Sequence, residues 1–119
     1  MGEAGGPVRY YVYMLGCEDG SIYTGICTDV CRRLREHLSQ GRLAARYTRT
    51  HKVISLEGAW EAEGRSCAGK LEWRIHHMSR AEKLRLLEGG GIAGEGYREL
   101  PRALCQSLWE RAAEVVDAR

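Results

Sequence analysis

The sequence predicts a small α+β (mixed α/β) domain in which a three-stranded sheet is flanked by helices. Three observations point there. Two short aromatic runs near the start are separated by an Asp-Gly turn. Apolar residues then recur at helical spacing from Val30. Further on, a β-rich run over Val53–Ala62 precedes a second series of helical patterns.

Residues 1–7 read as a loose tail. Val8 to Leu15, rich in Tyr, Val and Leu, reads as a strand. Cys17-Glu18-Asp19-Gly20-Ser21 is a turn, and Ile22 to Ile26 a second short strand that closes a hairpin. Thr28 or Asp29 offers a side-chain oxygen to cap the next helix. Val30, Leu34 and Leu38 mark its buried face, with Arg33 and His37 four apart on a neighbouring stripe. Gly41 breaks that helix, and Leu43 to Thr50 is a short helix or an ordered loop. Val53 to Ala62 is the third strand. Ser66 is placed to cap a helix whose apolar face is Ala68, Leu71, Ile75 and Met78, with Glu72 at its margin. Ser79-Arg80-Ala81-Glu82 matches a capping box and opens a helix through Glu88. Residues 1–88 are expected to form the main domain. Residues 89–119 read as a glycine linker and a C-terminal amphipathic helix with Leu104, Leu108, Ala112 and Val115 on one face.

The chain has 119 residues, 44% of them hydrophobic and 29% charged, which suits one globular domain with a modest core. No apolar run approaches the roughly 18 residues that span a bilayer, so no membrane association is expected. The first residues lack a basic segment followed by an apolar one, and a cytoplasmic location is the expectation. Five cysteines at irregular spacing, none in a C-x-x-C pair, argue against a disulfide framework. Cys27 and Cys31 near His37 make only a partial zinc set, and reduced, buried thiols are the simpler reading. The net charge is +2, yet the stretch from Val30 to Lys52 holds seven basic residues and a single acid, Glu36. A local basic segment of this kind is a footprint for phosphate. Charge alone does not separate that from a solvated helix and loop.

The triplets Tyr11-Val12-Tyr13 and Tyr23-Thr24-Gly25, the run from Tyr23 to His37, and Leu71-Glu72-Trp73-Arg74 together resemble the GIY-YIG nuclease family. The likeness covers about Arg9 to Leu87. Ala45-Arg46-Tyr47-Thr48-Arg49 resembles a segment of its small stand-alone bacterial subgroup, the YhbQ/YazA-like proteins. The C-terminal helix lies outside the likeness. Some relatives carry an asparagine in the helix after the glutamate. Here Arg80 to Arg85 has none, and no function carries onto Lys83.

The resemblance implies Tyr13, Tyr23, Arg33, His37 and Glu72 as catalytic residues, with Glu72 also the metal ligand. Mg²⁺ or Mn²⁺ would be the cofactor. One carboxylate suffices for Mg²⁺, which keeps several waters. Arg33 offers a forked cation to phosphate, and His37 a proton acceptor or an anchor for a tyrosine hydroxyl. A tyrosine serves as base only if its pKa falls below the usual ~10, and an adjacent arginine and metal ion would lower it. Both tyrosines qualify. Tyr13 is the chosen base and Tyr23 its positioning partner. Gly25 lets the backbone approach substrate closely, and Arg32, Arg46, Tyr47 and Arg49 are candidate contacts to nucleic acid. Tyr47 could equally pack under a surface loop. Trp60 and Trp73 read as core rather than as base-stacking platforms, and His76, one turn after Glu72, as surface or core.

The expected function is a metal-dependent DNA endonuclease recognising DNA structure or single strands in repair or recombination. Single-stranded, branched and duplex DNA all stay open as substrates. The alternatives are a non-catalytic nucleic-acid-binding module, a nuclease subunit activated by a partner, and self-association or partner binding through the C-terminal helix.

Overall fold

Strand order β2-β1-β3-β4 defines one antiparallel sheet, made of β1 (Tyr10–Cys17), β2 (Ile22–Cys27), β3 (Val53–Ala62) and β4 (Tyr97–Glu99). The structure is a computed structural model and describes residues 8–117. The tail expected over residues 1–7 lies outside the described residues. Helices α1 (Val30–Ser39), α2 (Arg46–Thr50), α3 (Arg65–His76), α4 (Arg80–Arg85) and α5 (Arg102–Asp117) complete the domain.

The sheet has four strands rather than three. The extra strand, Tyr97–Glu99, lies between the glycines read as a linker and the C-terminal helix. It is only three residues long, too short for an alternating pattern to register. Gly94 and Gly96, at φ 152° and 85°, shape the turn that leads into it. Glu63 N–H then donates to the Gly96 carbonyl, and Tyr97 pairs with Ala62. Arg74 donates to the Ala93 carbonyl at 2.8 Å, which ties the glycine segment to α3.

Each face of the sheet carries its own apolar cluster. On one face Tyr13, Leu15, Leu56 and Ala59 pack with Val30 and Leu34 of α1 and with Cys105 and Ala112 of α5. On the other, Val12, Met14, Trp60 and Ala62 pack with Ala68, Leu71 and Ile75 of α3. This is strand alternation at work, interrupted where the β1–β3 register shifts between Met14 and Leu15.

Several local expectations change in detail. Asp29 caps α1, its Oδ1 accepting the Arg32 N–H at 3.0 Å. Gln40, at φ 52°, rather than Gly41 ends that helix. The fully buried residue of its last turn is His37, while Leu38 is half-buried. Helix α3 begins at Arg65, so Ser66 lies inside its first turn and does not cap it. The Ser79–Glu82 capping box is present, but the regular helix stops at Arg85. One wider turn follows over Leu86–Gly90. Leu104 and Val115 of α5 are exposed, and the buried face is centred on Cys105 and Ala112. Ala112 and the half-buried Leu108 of the expected face do pack on the core, and Cys105, not counted on that face, is buried with them.

Candidate nuclease site

The site is built around a phenol in the middle of the sheet. Tyr13 stands opposite Gly25 on β2 and Ala59 on β3, so small residues flank it on both sides. A Cβ at Gly25 would overlap the Tyr13 phenol. Gly25 is therefore required by its neighbour across the hairpin. It is buried, which moves it from the substrate surface to the wall behind the tyrosine.

A single line of hydrogen bonds orients that phenol. Tyr13 Oη lies 2.8 Å from His37 Nε2, and His37 Nδ1 lies 2.6 Å from Thr48 Oγ1. Thr48 Oγ1 donates in turn to the Ala45 carbonyl at 3.2 Å. Since the carbonyl only accepts, the polarity of the line follows. The threonine proton is used on Ala45, so its oxygen accepts from His37 Nδ1–H. Nε2 is then the lone-pair nitrogen, and the Tyr13 hydroxyl donates to it. His37 and Thr48 are fully buried and Tyr13 is 2% exposed.

Burial sets the protonation states. It pushes the Tyr13 phenol well above its ordinary value of 10, with Tyr23 adding to the rise and Arg33 opposing it. The expectation of a lowered tyrosine pKa is thus overturned for the protein alone, because loss of water outweighs the nearby guanidinium. Burial and the Arg33 charge lower His37 to about 4, so it is neutral at pH 7. Tyr23, half-buried, is raised by burial and by the Glu72 carboxylate, with Arg33 again opposing.

Arg33 is held from two sides, donating to Glu36 Oε1 and to the Leu43 carbonyl, each at 2.6 Å. Its charge acts on Tyr13, Tyr23 and His37 alike. Glu72 arises from α3 on the other face of the sheet, yet its charge reaches Tyr23 on the edge strand β2. Tyr13, Tyr23 and His37 are thus brought together, their ring centroids 5.4 to 6.4 Å apart, with the Arg33 charge acting on all three and the Glu72 charge on Tyr23.

The outer residues divide. Tyr47 is half-buried between Tyr23 (centroids 5.9 Å apart) and His51 (3.8 Å apart), both stacked on it. Its ring is a packing element of the site wall. Arg49 directs its guanidinium to the Ala44 and Arg42 carbonyls and so braces the loop before α2. Arg32 and Arg46 are exposed. Arg32, with Arg35 and Arg42, lines an open groove beside α1. Trp60 is core, as expected, but Trp73 is 60% exposed. His76 is exposed.

Three contributors escaped the sequence reading: Thr48, Glu36 and His51. Thr48 sits inside a segment already singled out, but only the fold shows that it faces His37. No group of three or more His, Cys, Asp or Glu residues able to hold a metal ion occurs among the described residues. Burial pushes the Cys27 thiol up to about 11, which disfavours a thiolate ligand. Glu72, half-buried at the sheet edge, forms no ion pair among the described residues. A single, partly exposed carboxylate fits a hard cation that keeps most of its waters.

The model of the GIY-YIG catalytic domain matches residues 9–85. A UPF0213 protein of Fusobacterium nucleatum is 45% identical over 76 residues, 64% of this chain and 74% of that protein. One from Halalkalibacterium halodurans is 41% identical over 85 residues, 70% of this chain and 88% of its own length. The solution NMR structure of a UPF0213 protein from Bacillus halodurans aligns with a TM-score of 0.43 at 36% identity. That alignment covers 70% of this chain and 86% of the other.

Proposed function

This chain belongs to the GIY-YIG family, and from that premise we propose that it is a divalent-metal-dependent endonuclease hydrolysing phosphodiester bonds in DNA. The family implies nuclease-type chemistry. The metal, the substrate and a place in repair or recombination belong to the proposal. The observation that carries it is the line Tyr13–His37–Thr48, which fixes a phenol beside Tyr23, where the charges of both Arg33 and Glu72 are felt.

Glu72 would hold Mg²⁺ or Mn²⁺, which supplies charge neutralisation at the phosphate and at the leaving oxygen. The chain's own residues do the rest. Arg33 presents a permanent cation to the phosphate, its position set by Glu36 and the Leu43 carbonyl. Tyr13 accepts a proton from the attacking water as its own proton passes to His37 Nε2, the acceptor that the line of hydrogen bonds leaves available. Arg33 favours the transient phenolate. Tyr23 lies beside the Tyr13–His37 pair and within reach of the Glu72 charge, and positions the reacting water. Arg32 and Arg46, exposed and basic, supply contacts to the phosphate backbone, which orient DNA without reading its sequence.

The test is cleavage of end-labelled single-stranded, duplex and branched DNA with Mg²⁺, Mn²⁺ or EDTA, with Glu72→Ala and Tyr13→Phe alongside. Cutting that requires metal and is lost in both variants supports the proposal. DNA binding without cutting, equal in all three proteins, would overturn catalysis and leave a binding module.

A further inference from the structure

Trp73 is the largest exposed aromatic side chain of α3, at 60% exposure, and it immediately follows Glu72. One side of its indole is covered: the His77 ring stacks on it at 4.0 Å between centroids. His77 is itself held in place, its Nδ1–H donating to the Trp73 carbonyl at 2.8 Å. No other aromatic ring among the described residues touches the indole. The result is a flat, backed ring that leaves much of its surface to solvent.

Its surroundings say what would lie on it. Lys70 and His76, three residues to either side of it on α3, are exposed, while Arg74 turns its guanidinium to the Ala93 carbonyl and the Tyr97 hydroxyl, so the indole is an isolated aromatic in a polar setting. A protein-docking patch is a contiguous apolar area, and this is not one. An exposed π-face with Lys70 one turn away suits a nucleobase, since stacking serves the base and the cation its phosphate. Access to the catalytic edge is open as well. On the helical projection Gly69 falls between Glu72 and Trp73, and a Cβ there would meet nothing within 4 Å.

We infer that Trp73, backed by His77, is a stacking platform for an unpaired base of the substrate strand, one residue along α3 from the carboxylate at the catalytic edge. The inference rests on the nuclease reading of that edge and deepens it. It makes a strand with an unstacked base the preferred substrate, because a fully paired duplex offers no base face to the indole.

Binding in EDTA separates this from catalysis. A short oligothymidylate and a blunt hairpin duplex are titrated against wild type, Trp73→Ala and Trp73→Tyr, with circular dichroism confirming the fold. The exposed side chain supports no core, so the variants should remain folded. Trp73→Ala is expected to weaken single-strand binding about tenfold, leave duplex binding unchanged, and be largely rescued by Trp73→Tyr. Unchanged single-strand affinity in Trp73→Ala overturns the platform, as does an equal loss on both DNAs. Cleavage in Mg²⁺ is read in parallel. If wild type and Trp73→Ala cut and bind both DNAs alike, the platform falls and the nuclease stands. If wild type neither binds nor cuts either DNA, the nuclease reading falls and takes the platform with it.

Discussion

The two halves of the site are built in opposite ways. Tyr13, His37 and Thr48 are buried, and their polar atoms are hydrogen-bonded in sequence to a backbone carbonyl. Across the edge strand, Glu72 is half-buried with no ion pair among the described residues, and Trp73 stands in solvent. The buried half is completed by folding, because an unsatisfied polar group in a dry core is costly. The open half needs no such completion, since water satisfies it until a ligand arrives. Stability and activity should therefore respond separately to changes in the two halves.

The largest effect expected is on activity. Glu72→Ala should reduce cleavage at least ~100-fold while the urea midpoint stays at the wild-type value. Tyr13→Phe should match that loss and in addition destabilise the fold by about 1–3 kcal/mol, since His37 Nε2 loses its donor. If Glu72→Ala unfolds as readily as Tyr13→Phe, the division between the halves is wrong.

Next in size is a pH effect confined to the buried half. His37 has an ordinary pKa of 6.5 and is lowered to about 4 in the fold, by burial first and the Arg33 charge second. Below 6.5 the unfolded chain takes up a proton that the folded one refuses. The stability is thus fully present above pH 6.5 and is lost as pH falls through about 4. The sum is on the order of 3 kcal/mol. Urea unfolding from pH 7 to pH 4, with the His37 ring followed by NMR, checks it. A His37 titration near 6.5 would mean that the ring is wet and the line of hydrogen bonds is open.

A smaller loss is expected from Thr48→Val. The shape is kept, but His37 Nδ1–H loses its acceptor, at a cost of about 1–3 kcal/mol by thermal or urea unfolding. Activity should fall with it, because the ring that holds Tyr13 is no longer fixed from behind. Full activity at reduced stability would make Thr48 a core residue only.

The smallest effect sharpens the same comparison from the other side. Thr24 is buried at 6% exposure, and its hydroxyl has no partner among the described residues. Thr24→Val should leave the melting temperature unchanged or raise stability by less than about 1 kcal/mol, because a hydroxyl desolvated without return is removed. A clear loss would reveal a partner for that oxygen.

The sequence by itself determined the local pieces: the hairpin between the two aromatic runs, a helix cap at Thr28 or Asp29, the strand over Val53–Ala62 and the Ser79–Glu82 box. Each depends on residues close along the chain, and turn and cap chemistry is visible at that range. The ordered set Tyr13, Tyr23, Arg33, His37 and Glu72 was legible too, as a motif. What the set does to its own protonation was not. Whether a tyrosine pKa rises or falls depends on the balance of burial against charge, and burial is a property of the packed domain. The same holds for Thr48 meeting His37, for Gly25 serving as the wall behind a phenol, and for three residues beyond a run of glycines joining the sheet. It holds for Trp73 as well: only the packing of α3 on its Leu71–Ile75 side decided that the indole faces water. These are contacts between segments far apart in the chain, chosen when the two faces of the sheet were covered, and no local pattern encodes them.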